Sequence, residues 1–271
     1  MKTIVKFFSL LFIALAVFTS CDKGLNRVII KSGDFSIKSV FADGKTVQKF
    51  IYNNSGKIEE TQSFYFFNKY TYDNKNRLVK QDVAVDPDLL SSTMHIKSEL
   101  MTSQNSTFTN YYIFEYNSAG KLVTQKNYFK KEGKFEYTSK ITHEYDGAYI
   151  VKRNIHDATN SITQFYTYEY DSKGNVIKEK YFSFLFITGS EPKLIRETSF
   201  KYDDKNNPFK IFQDLGSPGM YTNANNIVET NSVLHENVPG VDKYSTSRTT
   251  YEYNDKGFPT MVNQSEEYIY D

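Results

Sequence analysis

The sequence predicts an all-β protein, an antiparallel meander of repeated β-hairpins that forms a barrel-like or strongly coiled sheet. Three observations lead to this fold class. The chain is rich in Tyr (22) and Phe (22) and has no Trp, a unit with Tyr followed by Asp or Asn recurs along it, and the flanking residues alternate with a period of two. Aromatic enrichment, polar turns and period-two alternation are typical of half-buried strands.

The first segment has the layout of a secretory signal peptide. Lys2 and Lys6 precede an apolar run, 7–18, and a small cleavage zone that ends at Cys21. The apolar run is shorter than the about 20 residues that a membrane-spanning helix needs. We therefore expect residues 1–20 to be removed.

Cys21 is the only cysteine, which excludes an intramolecular disulfide. The stretch 17–21, Val-Phe-Thr-Ser-Cys, resembles a bacterial lipobox in which Phe18 replaces the usual Leu. That resemblance implies lipid attachment at Cys21, a tether over 21–33 and a β domain over 34–271. The alternative is an ordinary signal peptide with an incidental cysteine. Several acyl chains make release from a membrane negligible, so we expect a lipid-anchored protein of the cell envelope, in the outer membrane, with the leaflet left open.

The charge balance weighs against a nucleic-acid partner. The chain has 33 Lys and Arg against 32 Asp and Glu, and no polybasic stripe occurs. A nucleic-acid-binding surface needs a basic excess to neutralise phosphates.

The recurring unit reads aromatic, any residue, Tyr, Asp or Asn, two residues, Gly or Asn, Lys, Asn or Arg, and an apolar residue. The clearest copies begin at Phe114, Tyr168 and Tyr251, and four looser copies begin at Tyr52, Tyr72, Tyr145 and Tyr202. In each copy the Asp or Asn is predicted to accept hydrogen bonds from backbone amides two residues on. The Gly three positions later, replaced by Asn76 and Asn206 in two copies, is predicted to adopt the left-handed conformation that closes a type I turn with a bulge.

Strands flank each turn. Tyr112, Phe114 and Tyr116 are predicted to face one side of the sheet, and the Glu residues lie mostly on the side opposite the aromatic residues, as on a solvated face. Seven units give on the order of fourteen strands, more than an open sheet usually carries without curling or closing. Two long gaps, 82–110 and 213–247, contain the turn or helix start Asp86-Pro87-Asp88 and Gly-Pro loops, and no linker splits the domain.

These units resemble the YD repeats of RHS-type proteins. Together with the lipobox they look more like a family of Bacteroidetes lipoproteins of unknown function whose fold has been called porin-like. The best match covers 202–210, 225–227 and 251–260. The resemblance implies a fold and a location in the cell envelope, and it implies no activity. RHS shells are longer and carry an Arg before the Tyr core, which these units lack, so a toxin-encapsulating role is not expected.

No catalytic or cofactor signature is present. The four histidines, His95, His143, His156 and His235, lack the close spacing of zinc ligands, and the acidic turns lack the calcium-loop pattern. Nucleophile-elbow, phosphate-loop and dinucleotide motifs do not occur. We expect no cofactor, no metal and no catalytic residue, although the sequence leaves open a pair of carboxylates brought together in space. The tyrosines are interpreted as core and cross-strand residues, with exposed rings that stack on sugars as the alternative.

The leading functional hypothesis is a non-catalytic envelope lipoprotein, a ligand-binding or scaffolding module whose long loops contact a glycan, a peptide or an envelope protein. A glycan-acting hydrolase is the first alternative, and it would need two carboxylates, one of them with a raised pKa. A structural subunit of an outer-membrane assembly is the second, and it would need a large exposed apolar patch. A lipid-facing barrel is disfavoured because polar residues lie on both faces after the turns.

Overall fold

A computed structural model of the chain describes residues 36–90, 98–184, 191–235 and 241–270. Cys21, the tether and the signal peptide lie outside the described residues, as does His95. The described part is all-β. Its strands are β1 Ile37–Ala42, β2 Lys45–Tyr52, β3 Ile58–Ser63, β4 Phe66–Tyr72, β5 Leu78–Val85, β6 Asn110–Tyr116, β7 Leu122–Lys131, β8 Lys134–Asp146, β9 Tyr149–His156, β10 Ile162–Tyr170, β11 Val176–Ser183, β12 Lys193–Tyr202, β13 Ile227–Leu234, β14 Lys243–Arg248, β15 Tyr251–Tyr253, β16 Pro259–Val262 and β17 Glu266–Tyr270.

Within the described residues two 3₁₀ helices interrupt the meander. The first, Pro87–Leu90, begins at the predicted Asp86-Pro87-Asp88 start, and the second covers Pro208–Leu215. Within the described ranges, no helix has the length and apolar character that crossing a membrane requires.

The strands form one antiparallel sheet in which sequence neighbours pair from β1 to β14, and β1 also pairs with β17. In the order of pairing, the sheet therefore begins at β14, continues through β13 and the preceding strands down to β1, and ends with β17, β16 and β15. Within the described residues no ladder pairs β14 with β15, so strand pairing does not close the sheet. Only Thr249 and Thr250 separate these two end strands in the chain. The ends of the path consequently meet, and the sheet is strongly coiled, as the sequence predicts.

The repeat turns lie together at one end of this sheet, which we call the turn end. They follow β2, β4, β6, β8, β10, β12 and β15. In the regular copies the turn has the predicted chemistry: Asp73 Oδ1 accepts hydrogen bonds from the amides of Lys75 and Arg77, both at 2.9 Å, and Asn76 has φ 58°. A register shift precedes each Tyr, as between Thr71 and Tyr72. This shift lies outside the turn and is distinct from the predicted bulge, which Asn76 makes within the turn.

The prediction for Asn206 is wrong, because Asn206 does not have a positive φ. In that copy Asp203 Oδ1 keeps the predicted bond from the amide of Lys205 at 3.0 Å and also accepts from the amide of Asn226 at 3.0 Å, while the amide of Asp203 donates to Asn226 O at 3.1 Å. The two contacts with Asn226 are those that join Asp73 to Arg77 in a regular turn. Asn226 thus occupies the closing position, and the segment 207–225 is an insertion within the turn.

The tyrosine of the repeat bonds one hairpin to the preceding one. The hydroxyl of Tyr116 donates to Leu78 O at 2.8 Å, that of Tyr145 to Leu122 O at 2.8 Å, and that of Tyr170 to Ile150 O at 2.7 Å. Tyr202 makes the equivalent bond to Val176 O. These acceptors lie at the starts of strands that follow the previous turn. These tyrosines are half-buried, and each hydroxyl satisfies a carbonyl, so the structure supports their interpretation as core and cross-strand residues.

The main core lies at the turn end, on the concave inner face. Strands from both ends of the chain contribute to it, including Val40, Phe50, Phe114 and Tyr268. The insertion delivers Phe212, which packs against Phe50 with ring centroids 5.7 Å apart. The insertion therefore acts as a plug for this end of the coiled sheet, and we call residues 207–225 the plug.

Candidate functional site: an arginine–tyrosine cluster on the inner face

Directly opposed residues of an antiparallel pair share a face, so the register identifies an inner-face row across β8 to β12. His143 opposes Arg153, Arg153 opposes Tyr166, and Tyr166 opposes Tyr181, which opposes Arg196. The row lies on the inner face because His143 Nε2 contacts the plug carbonyl Gly216 O at 3.1 Å.

A second row, one step nearer the turn end, places a carboxylate beside the arginines. Tyr168 opposes Glu179, and Glu179 opposes Thr198. Arg196 Nη2 is 3.5 Å from Glu179 Oε1, and Arg153 Nη1 is 3.4 Å from the hydroxyl of Tyr168. The inner-face cluster is defined here by Arg153, Tyr166, Tyr168, Glu179, Tyr181 and Arg196.

Glu179 departs from the expectation that Glu residues lie on the solvated face away from the aromatic residues. Burial raises the pKa of its carboxyl, although the charges of Arg196 and Arg153 act in the opposite direction. Desolvation therefore outweighs the attraction of two guanidinium groups. The Glu179 side chain is still 21% exposed and that of Arg196 is 38% exposed, so both remain partly accessible to water.

The cluster carries a positive excess. Two arginines share one carboxylate, and protonation of that carboxylate at its raised pKa increases the excess further. Nε of Arg196 is buried without a hydrogen-bond partner among the described residues. On the outer face of the same strands Lys178 and Lys180 contact one carboxylate, Glu197, at 3.1 and 3.7 Å. Both faces of β11 and β12 therefore place two cations beside one carboxylate, and the inner face is distinguished by the burial that raises the pKa of Glu179.

His143 connects the cluster to the plug. Burial, aided by the positive charge of Arg153, lowers the pKa of His143 to about 3, so its imidazole is neutral at ordinary pH. The other described histidines make local contacts: His156 with Asn160 O at 3.1 Å and His235 with Asp242 at 3.0 Å. In the described ranges no three His, Cys, Asp or Glu side chains converge on a possible metal position.

The two long segments singled out in the sequence have different roles in the fold. The second contributes the plug, in which Asn223 is fully buried, so this part of it is a core element. Part of the first, 98–109, covers the outer face, where Met101 and Phe108 pack on Phe67 and Ala84. A cleft of about 610 Å³ lies beside it, lined by apolar side chains and by polar ones that include Asp86, Glu99 and Lys130.

Comparisons with known proteins add little to this geometry. No family model and no curated protein matches the chain. Among solved structures it is similar to a Bacteroides fragilis protein with unknown function (8% identity, 68% of this chain and 91% of that one, TM-score 0.27) and to a porin-like protein from Bacteroides uniformis (11% identity, 81% and 91%, TM-score 0.34). It is also similar to the Photorhabdus luminescens Tc holotoxin pore (10% identity, 84% of this chain and 13% of that one, TM-score 0.26). All three TM-scores are below 0.5, so these likenesses carry no argument about function.

Proposed function

We propose that this protein is a non-catalytic binding protein of the cell envelope, anchored through a lipid on Cys21, and that its inner-face cluster holds a small carboxylate ligand. The observation that carries the proposal is the placement of one carboxylate, Glu179, 3.5 Å from Arg196 and within the electrostatic reach of Arg153, on a concave face lined by tyrosines. The lipobox-like stretch supports the anchor.

The chemistry of the cluster favours an anion. A guanidinium presents its donors in a planar fork that matches a carboxylate, and such charge-assisted hydrogen bonds are among the stronger ones in proteins. The cluster tyrosines add hydroxyl donors and flat rings, which suit a sugar acid. Glu179 would tune the site, because its negative charge weakens anion binding and its protonation removes that effect.

A glycan-acting hydrolase receives less support from this geometry. Such an enzyme needs a second carboxylate roughly 5–9.5 Å from the first. Among the described residues, the charged groups that act on the pKa of Glu179 are Arg196 and Arg153, both of them basic. Glu179 therefore lies among basic groups, an arrangement that suits an ion pair better than the paired carboxylates of a hydrolase.

Calorimetric titration of the purified lipoprotein with glucuronate, and with glucose as the neutral comparison, tests the proposal. We expect glucuronate alone to bind, and Arg196→Gln to weaken it roughly 10- to 100-fold, as expected from losing a charged hydrogen bond of about 1.5–3 kcal/mol. Lys178→Gln removes the same charge from the outer face of the adjacent strand and should leave binding unchanged. Equal binding by wild type and Arg196→Gln would overturn the assignment of the site.

The pH dependence gives a second readout. Because the pKa of Glu179 is raised, lowering the pH neutralises it while a sugar acid with a lower pKa keeps its charge. Glucuronate affinity should therefore rise as the pH falls toward the Glu179 pKa, and Glu179→Gln should bind more tightly at neutral pH with a flatter profile.

A separate test addresses the anchor: Cys21→Ala should leave the membrane fraction, and its retention there would refute lipid anchoring.

A further inference from the structure

The strand β14 has a neighbour on one edge only among the described residues. It pairs with β13 along its whole length, from Leu234 opposite Lys243 to Glu229 opposite Arg248. The chain continues through Thr249 and Thr250 into β15, which pairs with β16 on the other side. The turn of the β16–β17 hairpin reaches as far as Thr250, whose carbonyl accepts from the amide of Asn263 at 2.9 Å. Beyond that level no described strand flanks the second edge of β14.

The ladder fixes which backbone groups point off this edge. The amide of Thr249 donates to Val228 O at 3.0 Å, so Thr249 and every second residue before it face β13. The backbone N–H and C=O groups of Tyr244, Thr246 and Arg248 consequently point away from the sheet. All six residues of β14 are exposed, with Tyr244 76% exposed and the Arg248 side chain 75% exposed.

Edge strands usually carry features that block pairing, such as proline or inward-pointing charge. The centre of β14, Tyr-Ser-Thr-Ser over 244–247, has neither. Its outward backbone groups, which no described strand pairs with, form a template to which another extended chain adds through main-chain hydrogen bonds.

We propose that this edge pairs with the same edge of a second copy of the chain, antiparallel, with Thr246 on the two-fold axis. In that register Tyr244 of one copy opposes Arg248 of the other, and the reverse pair forms by symmetry. Each Arg248 guanidinium lies beside a tyrosine ring on the outer face, which is a favourable cation–π arrangement. Ser245 opposes Ser247 on the other face, so no like charges meet.

The interface is isologous, since one patch meets itself. The edge is short, and an interface of this size makes a weak dimer. Confinement of both copies to one membrane would raise their effective concentration.

Disulfide trapping in membranes of the producing cells tests the pairing. Two Cα atoms in a hydrogen-bonded antiparallel pair are about 5.5 Å apart, within the range that a disulfide spans. Thr246→Cys should therefore give a covalent dimer on mild oxidation. Asn231→Cys is the matched control because Asn231 pairs with Thr246 on β13, one strand further in, which separates the two copies of the control by roughly 14 Å at about 4.8 Å per strand.

We expect at least a ten-fold excess of dimer for Thr246→Cys over Asn231→Cys, with peptide mass spectrometry identifying a disulfide that joins position 246 of one copy to position 246 of the other. Thr246→Pro removes an amide that the β13 ladder does not use and should shift the detergent-solubilised protein toward monomer in sedimentation. Equal trapping of the two cysteine variants, or a link from position 246 to a different protein, would overturn the proposal.

Discussion

The turn that contains Asp73 and the turn that contains Asp203 begin with the same chemistry and end differently. In the first, Asp73 closes the turn on Arg77, four residues later. In the second, Asp203 makes the equivalent bonds to Asn226, and the intervening plug enters the core. The comparison teaches that the repeat specifies the two ends of a turn and tolerates a long insertion between them, provided that the insertion buries its own apolar and polar groups.

The plug meets that condition with named contacts. Phe212 supplies the apolar surface, and buried Asn223 accepts from the amide of Val176 at 2.9 Å. Lys57 Nζ contacts Asp214 at 2.7 Å, and Gln125 Nε2 donates to Leu215 O. Each partner comes from a different hairpin, so the plug links hairpins that the tyrosine bonds join only to their neighbours.

Removal of the Phe212 ring should give the largest loss of stability. Phe212→Ala deletes a buried ring from the core and is expected to lower the free energy of unfolding by about 3–5 kcal/mol. The control Phe135→Ala removes a ring that is 39% exposed on the outer face, and should lower it by less than about 1 kcal/mol. Urea unfolding followed by tyrosine fluorescence measures both. Equal losses would mean that the plug behaves as a surface loop.

Two glycines with positive φ, one in the plug and one in a regular turn, allow the packing of the two regions to be compared. A Cβ on Gly216 would overlap Leu122 Cδ2, whereas a Cβ on Gly120 would meet nothing within 4 Å. Both alanine variants carry the left-handed backbone penalty of about 1–2 kcal/mol, and Gly216→Ala adds overpacking of about 1–3 kcal/mol. The urea midpoint should therefore fall further for Gly216→Ala. A larger fall for Gly120→Ala would contradict the packing of the plug against β7.

The contact of His143 with the plug predicts a pH dependence. The pKa of His143 is lowered from 6.5 to about 3 in the folded protein, so between these values the unfolded chain binds a proton that the folded chain does not. Stability should then fall as the pH drops below 6.5, with this residue contributing a slope that approaches about 1.4 kcal/mol per pH unit. Unfolding free energies at pH 7, 6 and 5 measure the slope. His143→Gln should flatten it, and an unchanged slope would remove His143 as its source.

Much of the turn end could be predicted from sequence because its causes are local. An Asp or Asn bonds to amides two and four residues away, and a Gly or Asn with positive φ completes the turn, so one short pattern contains the whole mechanism. One turn with the same chemistry was missed, at Asp157–Asn160, because it lacks the preceding Tyr; Asp157 accepts from the amide of Thr159 at 2.8 Å, and Asn160 has φ 66°.

The inner-face cluster could not be predicted in the same way. Arg153 and Glu179 share a face only through the registers of β9, β10 and β11, which shift between Ile162 and Gln164 and again between Glu169 and Tyr170. A shift of one residue moves a side chain to the opposite face of a sheet. The alternation near Glu179 therefore indicated a solvated face, and the pairing with Arg196 depends on contacts that no local pattern contains.

The smallest expected effect tests the bond between regular hairpins. Tyr170→Phe keeps the ring and deletes the hydroxyl that donates to Ile150 O at 2.7 Å. Because the carbonyl loses a partner in a half-buried position, we expect a loss of about 0.5–1.5 kcal/mol in unfolding free energy. Tyr244→Phe deletes a hydroxyl from a ring that is 76% exposed and should change stability by less than about 0.5 kcal/mol.

Indistinguishable unfolding midpoints for the two variants would show that the repeat tyrosine contributes to stability through the packing of its ring and not through its hydroxyl. A measurable difference would explain why phenylalanine does not replace it at Tyr116, Tyr145, Tyr170 or Tyr202, where the hydroxyl joins each hairpin to the one before it.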